Sequence, residues 1–475
     1  MRIPVANVFL FLAFIICLGG CSGQAPMLFP ELPRKDWLGE DKPAPEQKVA
    51  PIYSPEKKLS FTDLVYLAIQ QSPVLERSSV NMDIQQIALT SARWKALPEV
   101  HLIAVVSNNL TQYNKGKLNK NAQKDYGKTK YQISYTGVFN NPVATYFDVQ
   151  AQKELMSIAI ATHKKAIGKC INEIADLLVQ IRAKEAVLAS LKTSLEIARR
   201  NKGYADASSA FKTDIWNGPD AQEDIVREKT LQVDTAHMEL TILRNQLKLL
   251  VGVDRNQQLQ LDTDSVVSAI NSFASEQLSW EECWEKSTER YLLAQQVRLH
   301  DAGIMLAWAQ YVPNISFVVN ESPPNGQAQP SNAETDQFLH ISLNFPLLDW
   351  GLRYRNAEQS RAKKRQSRLD EIIKRREYQQ RWFMAEDQLI LARARLRQCE
   401  HAQSSAEKRL TAVQTSYDHG GSGMPELSRA QQSVQEARMA RVNAEAAMLR
   451  NQLAWLDLSQ SMQNSFLDNA SGEEQ

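Results

Sequence analysis

Leu243-Arg244-Asn245-Gln246-Leu247-Lys248-Leu249-Leu250 returns as Leu449-Arg450-Asn451-Gln452-Leu453-Ala454-Trp455-Leu456, with six of eight positions identical at a separation of 206. The apolar positions around this octet return with it. Ala236, Leu240, Leu243, Leu247 and Leu250 answer Val442, Ala446, Leu449, Leu453 and Leu456, both sets spaced four, three, four and three. Such spacing lays one apolar stripe along a helix. Upstream, Leu97-Pro98-Glu99-Val100 answers Val312-Pro313-Asn314-Ile315 and Ile133-Ser134 answers Ile341-Ser342, at separations of 215 and 208. One large unit is therefore present twice, with small insertions between its landmarks.

The balance of 55 basic against 54 acidic residues gives a net charge of +1, which argues against nucleic acid as a partner. Arg2, the apolar run Val5 to Ile16 and then Leu18-Gly19-Gly20-Cys21 have the layout of a secretory signal ending in a lipoprotein cleavage site. On that reading residues 1–20 are removed and Cys21 becomes the lipidated first residue; the alternative is an ordinary signal that contains a cysteine. Ser22 follows, without the aspartate that retains bacterial lipoproteins at the inner membrane, so outer-membrane sorting is expected. Residues 21–58 carry seven prolines between Pro26 and Pro55 and little periodicity, which reads as an extended tether. Cys170, Cys283 and Cys399 remain, an odd number that implies no disulfide framework; Cys170 and Cys399 stand at different heights, ~40 and ~70 Å along equivalent helices, and single buried thiols are expected.

From Leu59 to Leu97 the pattern is helical, with a break at Ser72-Pro73 where serine caps the helix that proline begins. Pro98 ends it. Val100 to Leu110 and Tyr131 to Phe139 then alternate apolar and polar residues, as do Asn314 to Asn320 and Leu339 to Phe345. A half-buried soluble sheet gives the same alternation. Here each pair of strands is about long enough to cross a bilayer obliquely, and each is embedded between very long helices. Four strands do not close a barrel within one chain, so a membrane barrel requires several subunits. Val143 to Lys202 and Arg353 to Tyr417 read as helices of about 90 Å at ~1.5 Å per residue. Ile167, Ile171, Ile174, Leu178 and Ile181, followed by Leu188, Leu191, Leu195 and Ala198, keep coiled-coil spacing. Arg361-Ala362-Lys363-Lys364-Arg365 reads as a solvated helix face in preference to an anion site.

Leu-Pro and Val-Pro entering the first strand of each copy, Ile341 to Gly351 leaving the second strand pair, and Tyr417-x-x-Gly420 before the last helix occur in an order that resembles the TolC-type outer-membrane efflux and secretion channels. The resemblance spans Leu59 to Met462. It implies a mainly α fold with a small β part, in which internally duplicated long-helix hairpins form a trimeric α-helical barrel. It also implies that four strands per subunit enter a shared twelve-stranded outer-membrane β-barrel, with repeats at 59–277 and 278–462 and a polar tail at 463–475. The function implied is a passive exit duct, fed by a periplasmic adaptor and an inner-membrane pump of the RND or ABC type, in contact with outer-membrane lipid.

Gln132, Ser134, Thr136, Asn314, Ser316, His340, Ser342 and Asn344 would line the barrel. The lysine-rich stretch 108–130 would lie outside the cell, either against lipid phosphates or simply solvated. Tyr417, Gly420, Glu426 and Arg429 are the candidate periplasmic gate, in which Arg429 is expected to pair with Glu426 within or between subunits. An arginine that certain relatives use to hold the tunnel shut corresponds to Ser422, and a second acidic position corresponds to Arg429. Gly203 to Leu250 spans 47 positions and Gly420 to Leu456 spans 36, which suggests 11 extra residues at the first tip, around Tyr204 to Pro219.

A periplasmic coiled-coil lipoprotein scaffold or adaptor without a conducting barrel is the alternative reading. No glycine-rich phosphate loop, zinc-spaced His/Cys cluster or nucleophile-base constellation points to an enzyme, a cofactor or a metal.

Overall fold

The computed structural model describes residues 58–97, 99–108, 129–139, 141–210, 219–273, 279–322, 336–344, 349–464 and 466. The signal and tether, Cys21 among them, and the stretch 109–128 lie outside the described residues.

Helix, helix, strand, strand, long helix and return helix occur in this order twice. The first pass comprises α1 (Phe61–Gln71), α2 (Pro73–Trp94), β1 (Glu99–Asn108), β2 (Thr129–Phe139), α3 (Pro142–Ala210) and α4 (Pro219–Val251). After α5 (Ser265–Phe273), the second comprises α6 (Trp280–Lys286), α7 (Thr288–Ala309), β3 (Asn314–Ser322), β4 (Asp336–Asn344), α8 (Leu352–Asp418) and α9 (Met424–Ser459). At 69 and 67 residues, α3 and α8 are each about 100 Å long at ~1.5 Å per residue.

Each pass opens on a capping box. The Ser60 hydroxyl accepts from the Asp63 N–H while the Asp63 carboxylate accepts from the Ser60 N–H, and Ser279 does the same with Glu282. Two orphan donors are satisfied at each helix start. Leu59, which the helical pattern takes in, lies outside the helix and forms a parallel bridge with Leu261 instead. Ser72 stands at the N-cap of α2 with Pro73 as first residue, yet its hydroxyl makes no capping bond. Its backbone carbonyl accepts from Leu75 and Glu76 instead.

The core follows the stripes. Ile171, Ile174, Leu178, Ile181 and Ala198 of α3 are at most 1% exposed, because α3 is flanked by α2, α4, α7 and α9. Leu240 and Leu247 of α4 and Leu449, Leu453 and Leu456 of α9, the duplicated heptads, are buried as well. Lower in burial is α8, which packs on α7 and α9 and leaves Leu369, Phe383, Ile390 and Leu391 exposed. A second core gathers Cys283, Trp284, Leu293, Tyr378 and Trp382, where the Tyr378 hydroxyl donates to the Leu458 carbonyl at 2.6 Å. Cys170 and Cys283 are buried, and burial pushes the Cys170 thiol up to about 11. Cys399 departs from expectation. It is only partly covered, in a groove of about 790 Å³ between α8 and α9 that small residues such as Ala392, Ala444 and Ala447 leave open.

Candidate channel wall and tunnel tip

The strands form one antiparallel sheet in the order β1-β2-β3-β4, so the two strand pairs, far apart in sequence, meet through β2 and β3. Register assigns the faces, because directly opposed residues share one. Leu102, Tyr135, Val319 and Leu339 run across all four strands, followed by Gly137, Phe317 and Ile341, then Phe139, Ile315 and Leu343. Leu339, Ile341 and Leu343 are 66%, 63% and 66% exposed. Along β4 this apolar face is open to its surroundings.

The other face holds all eight candidate lining positions. Ser134 stands opposite Ile103 and Asn320, Gln132 opposite Val105, and Thr136 opposite His101 and Val318, with His340 beyond Val318. Asn314 stands opposite Asn344. Ser316 stands opposite Ser342, and their hydroxyls lie 2.5 Å apart. Ile103, Val105, Val138, Val318 and Phe338 interrupt this face, so it is polar without being uniformly so. As the outer strands, β1 and β4 each keep one edge unpaired among the described residues. Unpaired edges satisfy their N–H and C=O groups only in water or by joining further strands.

Where sheet and helices join, Asn141 is a site that periodicity did not reveal. Its carbonyl oxygen accepts from the N–H groups of Val143 and Ala144 at 3.0 and 3.1 Å, while its amide donates to the carbonyls of Ala309 and Val312 at 2.6 and 2.9 Å. One buried side chain thus caps α3 and ties it to the turn that leads from α7 into β3. The only hint in sequence was an Asn-Pro dipeptide at a strand end.

At the opposite end of the long helices, Gly420 takes φ +75° and its N–H donates to the Tyr417 carbonyl at 3.0 Å; Gly421 N–H donates to Ser416 at 2.8 Å. A positive φ suits glycine, and the two bonds close the C-terminal end of α8. Tyr417 packs on Val413, Leu427 and Ala430, which closes the hairpin over a small apolar cluster. Glu426 sits in the first turn of α9, where a carboxylate complements the helix dipole. Both Glu426 and Arg429 are exposed. Among the described residues no ion pair joins them, so the expected pair is not made within the chain. Ser422 donates to the Ser416 hydroxyl at 2.7 Å and stays within its own turn.

Nearby, the Asn201 amide donates to the Ser428 hydroxyl, joining α3 to α9; both residues are buried. The surplus expected at the first tip is smaller than 11 residues. Gly203 lies inside α3 and is not the counterpart of Gly420. Between helix ends the first connection runs over 211–218, outside the described residues, and the second over 419–423.

Among the described residues, no group of His, Cys, Asp and Glu could hold a metal ion, and no helix is long and apolar enough to cross a membrane. The latter says nothing of a β-barrel. No protein of curated function matches the chain in sequence.

Residues 292–458, from α7 almost to the end of α9, match the family model of the outer membrane efflux proteins. Over its second repeat the chain resembles the outer membrane efflux proteins in sequence. The fold agrees along most of its length. The open-state MtrE outer membrane channel of Neisseria gonorrhoeae superposes with a TM-score of 0.68 at 16% identity, over 85% of this chain and 89% of that one. The outer membrane protein VceC of Vibrio cholerae gives 0.66 at 14%, over 84% and 95%. The Campylobacter jejuni CmeC outer membrane channel gives 0.68 at 13%, over 84% and 85%. At such identities the likeness is one of fold. The chain thus keeps the fold of these channels with almost wholly different side chains, which is why its own register and tip are the guide to its chemistry.

Proposed function

We propose that this protein is the outer-membrane exit duct of a tripartite efflux or type I secretion system, passively conducting substrate delivered by a periplasmic adaptor and an inner-membrane pump of the RND or ABC type. The two-faced sheet carries this reading. One face, apolar over three successive rows of the register and exposed along β4, suits lipid, and the other, with its serine, threonine, asparagine and histidine positions, suits a water-filled lumen. Four strands with two open edges call for other copies of the chain, and three copies give a twelve-stranded barrel. The helices of roughly 100 Å then reach far into the periplasm.

Exposed apolar stripes support assembly. Leu231, Met238, Ile242 and Leu249 on α4 are 61%, 69%, 55% and 79% exposed, and α8 exposes Phe383 and Ile390 as well. Patches of this extent are usually covered by a partner. Residues 59–277 and 278–462 are read as the two repeats, and Cys21 as the lipid anchor. A periplasmic scaffold without a barrel gives no role to the apolar face of the sheet.

The test is direct. Full-length protein in mild detergent is expected to have the mass of a trimer and to produce discrete conductance steps in a planar bilayer. A monomer that leaves the bilayer silent would end the proposal.

A further inference from the structure

The sheet gives way to helix at an aromatic and basic shoulder on the second repeat. Trp350, in the turn before α8, is 87% exposed and takes φ +53°, a left-handed conformation that costs a bulky side chain energy. The turn is built to hold it there: Asp349 accepts from the N–H groups of Gly351 and Arg353 at 3.1 and 3.2 Å and pairs with the Arg353 guanidinium at 3.4 Å. Arg353 in turn lies over the Tyr311 ring, and Arg361 over Trp308.

The charge pattern is the second observation. The first 17 residues of α8 contain seven Lys or Arg and one acid, Glu358, at the helix end whose dipole disfavours cations. The first 17 residues of α3, the counterpart in the other repeat, contain Lys153 alone against Asp148 and Glu154. The architecture, used twice, does not demand the run. Nor does it favour the helix: Arg361 and Arg365 are like charges at i, i+4, both exposed, and neither is in an ion pair among the described residues. Tyr354, 47% exposed, lies on their flank at i, i+7 from Arg361.

We propose that this shoulder binds phospholipid of the periplasmic leaflet, with Arg361 and Arg365 taking the phosphate and Trp350, Tyr354 and Trp308 occupying the headgroup interface. The inference rests on the reading of the sheet as part of a membrane barrel. Arg361 and Arg365 stand about 14 and 20 Å below the start of α8, and helical side chains lean toward the N-terminus, here toward the sheet. Guanidinium groups bind phosphate through paired N–H donors, and amphipathic rings collect at the level of the headgroups. A solvated helix face explains the exposed charges but leaves the strained, exposed Trp350 and the difference between the repeats unexplained.

The experiment uses the full-length assembly in mixed micelles containing phosphatidylglycerol, with bound lipid counted by native mass spectrometry and channel activity recorded in parallel. Wild type is compared with the Arg361→Gln/Arg365→Gln double variant and with Lys153→Gln on the first repeat. The expected result is at least a threefold loss of retained phosphatidylglycerol in the double variant, little change in Lys153→Gln, and unaltered conductance. Trp350→Phe is expected to remove a fluorescence component quenched by lipid brominated near the headgroup. Equal lipid retention by wild type and double variant, in assemblies that conduct, overturns the lipid site and leaves the duct reading standing. A wild type that neither conducts nor retains lipid overturns both.

Discussion

Asn141 and Asp349, 208 positions apart, each accept two backbone N–H groups where a long helix begins, Asn141 as the residue just before α3 and Asp349 two residues ahead of the Gly351 N-cap of α8. They differ in what the second half of the side chain does. The Asn141 amide donates to two carbonyls, of Ala309 and Val312, whereas the Asp349 carboxylate faces Arg353. An amide is required where carbonyls converge, and a carboxylate serves where a guanidinium does.

Asn141→Ala is therefore expected to cost about 2–4 kcal/mol, since it removes a cap and leaves two buried carbonyls without donors. Asn141→Asp is expected to be no better, because it sets a negative charge against the same two oxygens. Asp349→Asn keeps an acceptor for the turn and loses a partly exposed ion pair, for a change of about 1 kcal/mol or less. Thermal unfolding followed by circular dichroism in detergent ranks the three. An Asn141→Ala protein that melts with wild type would show that the joint between α3 and the turn before β3 is held elsewhere.

Acid sensitivity follows from two histidines. Burial lowers the pKa of His163, whose Nδ1 stands 2.6 Å from the Ser78 hydroxyl, and lowers that of His300, where Lys363 adds to the effect and Asp301 opposes it. The Ser78 hydroxyl itself donates to the Leu75 carbonyl at 2.8 Å, so His163 is its donor. A histidine depressed in the fold contributes stability that is complete above 6.5, its ordinary value, and lost as pH falls through that value toward the folded one. The melting temperature is expected to fall between pH 7.5 and pH 5.5, and to fall less in His163→Gln/His300→Gln. Identical pH profiles for the double variant and wild type would assign the acid sensitivity to other groups.

Much of this molecule was legible because its elements are long and repeated. The stripes of α3 and the octets at Leu243 and Leu449 lie on the buried seams they imply, since a heptad sustained over many turns has one way to be covered. The alternation in β2, β3 and β4 likewise gives faces that the register confirms, because a shift of one residue would invert them. Three features escaped. Asn141 works through carbonyls 168 and 171 residues away, which no local pattern encodes. Gly203 was matched to Gly420 by residue type, yet only Gly420 needs a positive φ. The capping boxes at Ser60 and Ser279 were there to be read as Ser-x-x-Asp and Ser-x-x-Glu before apolar helices.

The lipid anchor is tested by labelling. Leu18-Gly19-Gly20-Cys21 ends an apolar stretch and precedes the proline-rich tether. Cys21→Ser is expected to abolish incorporation of labelled fatty acid while leaving trimers, since strands and helices hold the assembly. Labelled lipid persisting on the variant would place the acyl group on another residue.

The last prediction concerns the periplasmic mouth, where the proposed trimer would make each residue of the second tip a ring of three. Exposed Glu426 carboxylates gathered around a passage attract cations, and exposed Arg429 one turn along opposes them. With no Glu426–Arg429 pair inside one chain, the two rings act on a passing ion as separate fields of opposite sign, and any contact between them joins neighbouring subunits. Glu426→Gln is expected to lower the preference for cations in single-channel recordings, and Arg429→Ala to raise it, each shift shrinking in high salt as screening shortens the reach of exposed charges. If Arg429 also bridges subunits, Arg429→Ala raises the open probability, whereas Glu426→Gln/Arg429→Ala adds nothing to it. Unchanged selectivity and open probability in both single variants would mean that these side chains only solvate the end of a hairpin, and the gate would then be sought at the Asn201–Ser428 contact that joins α3 to α9.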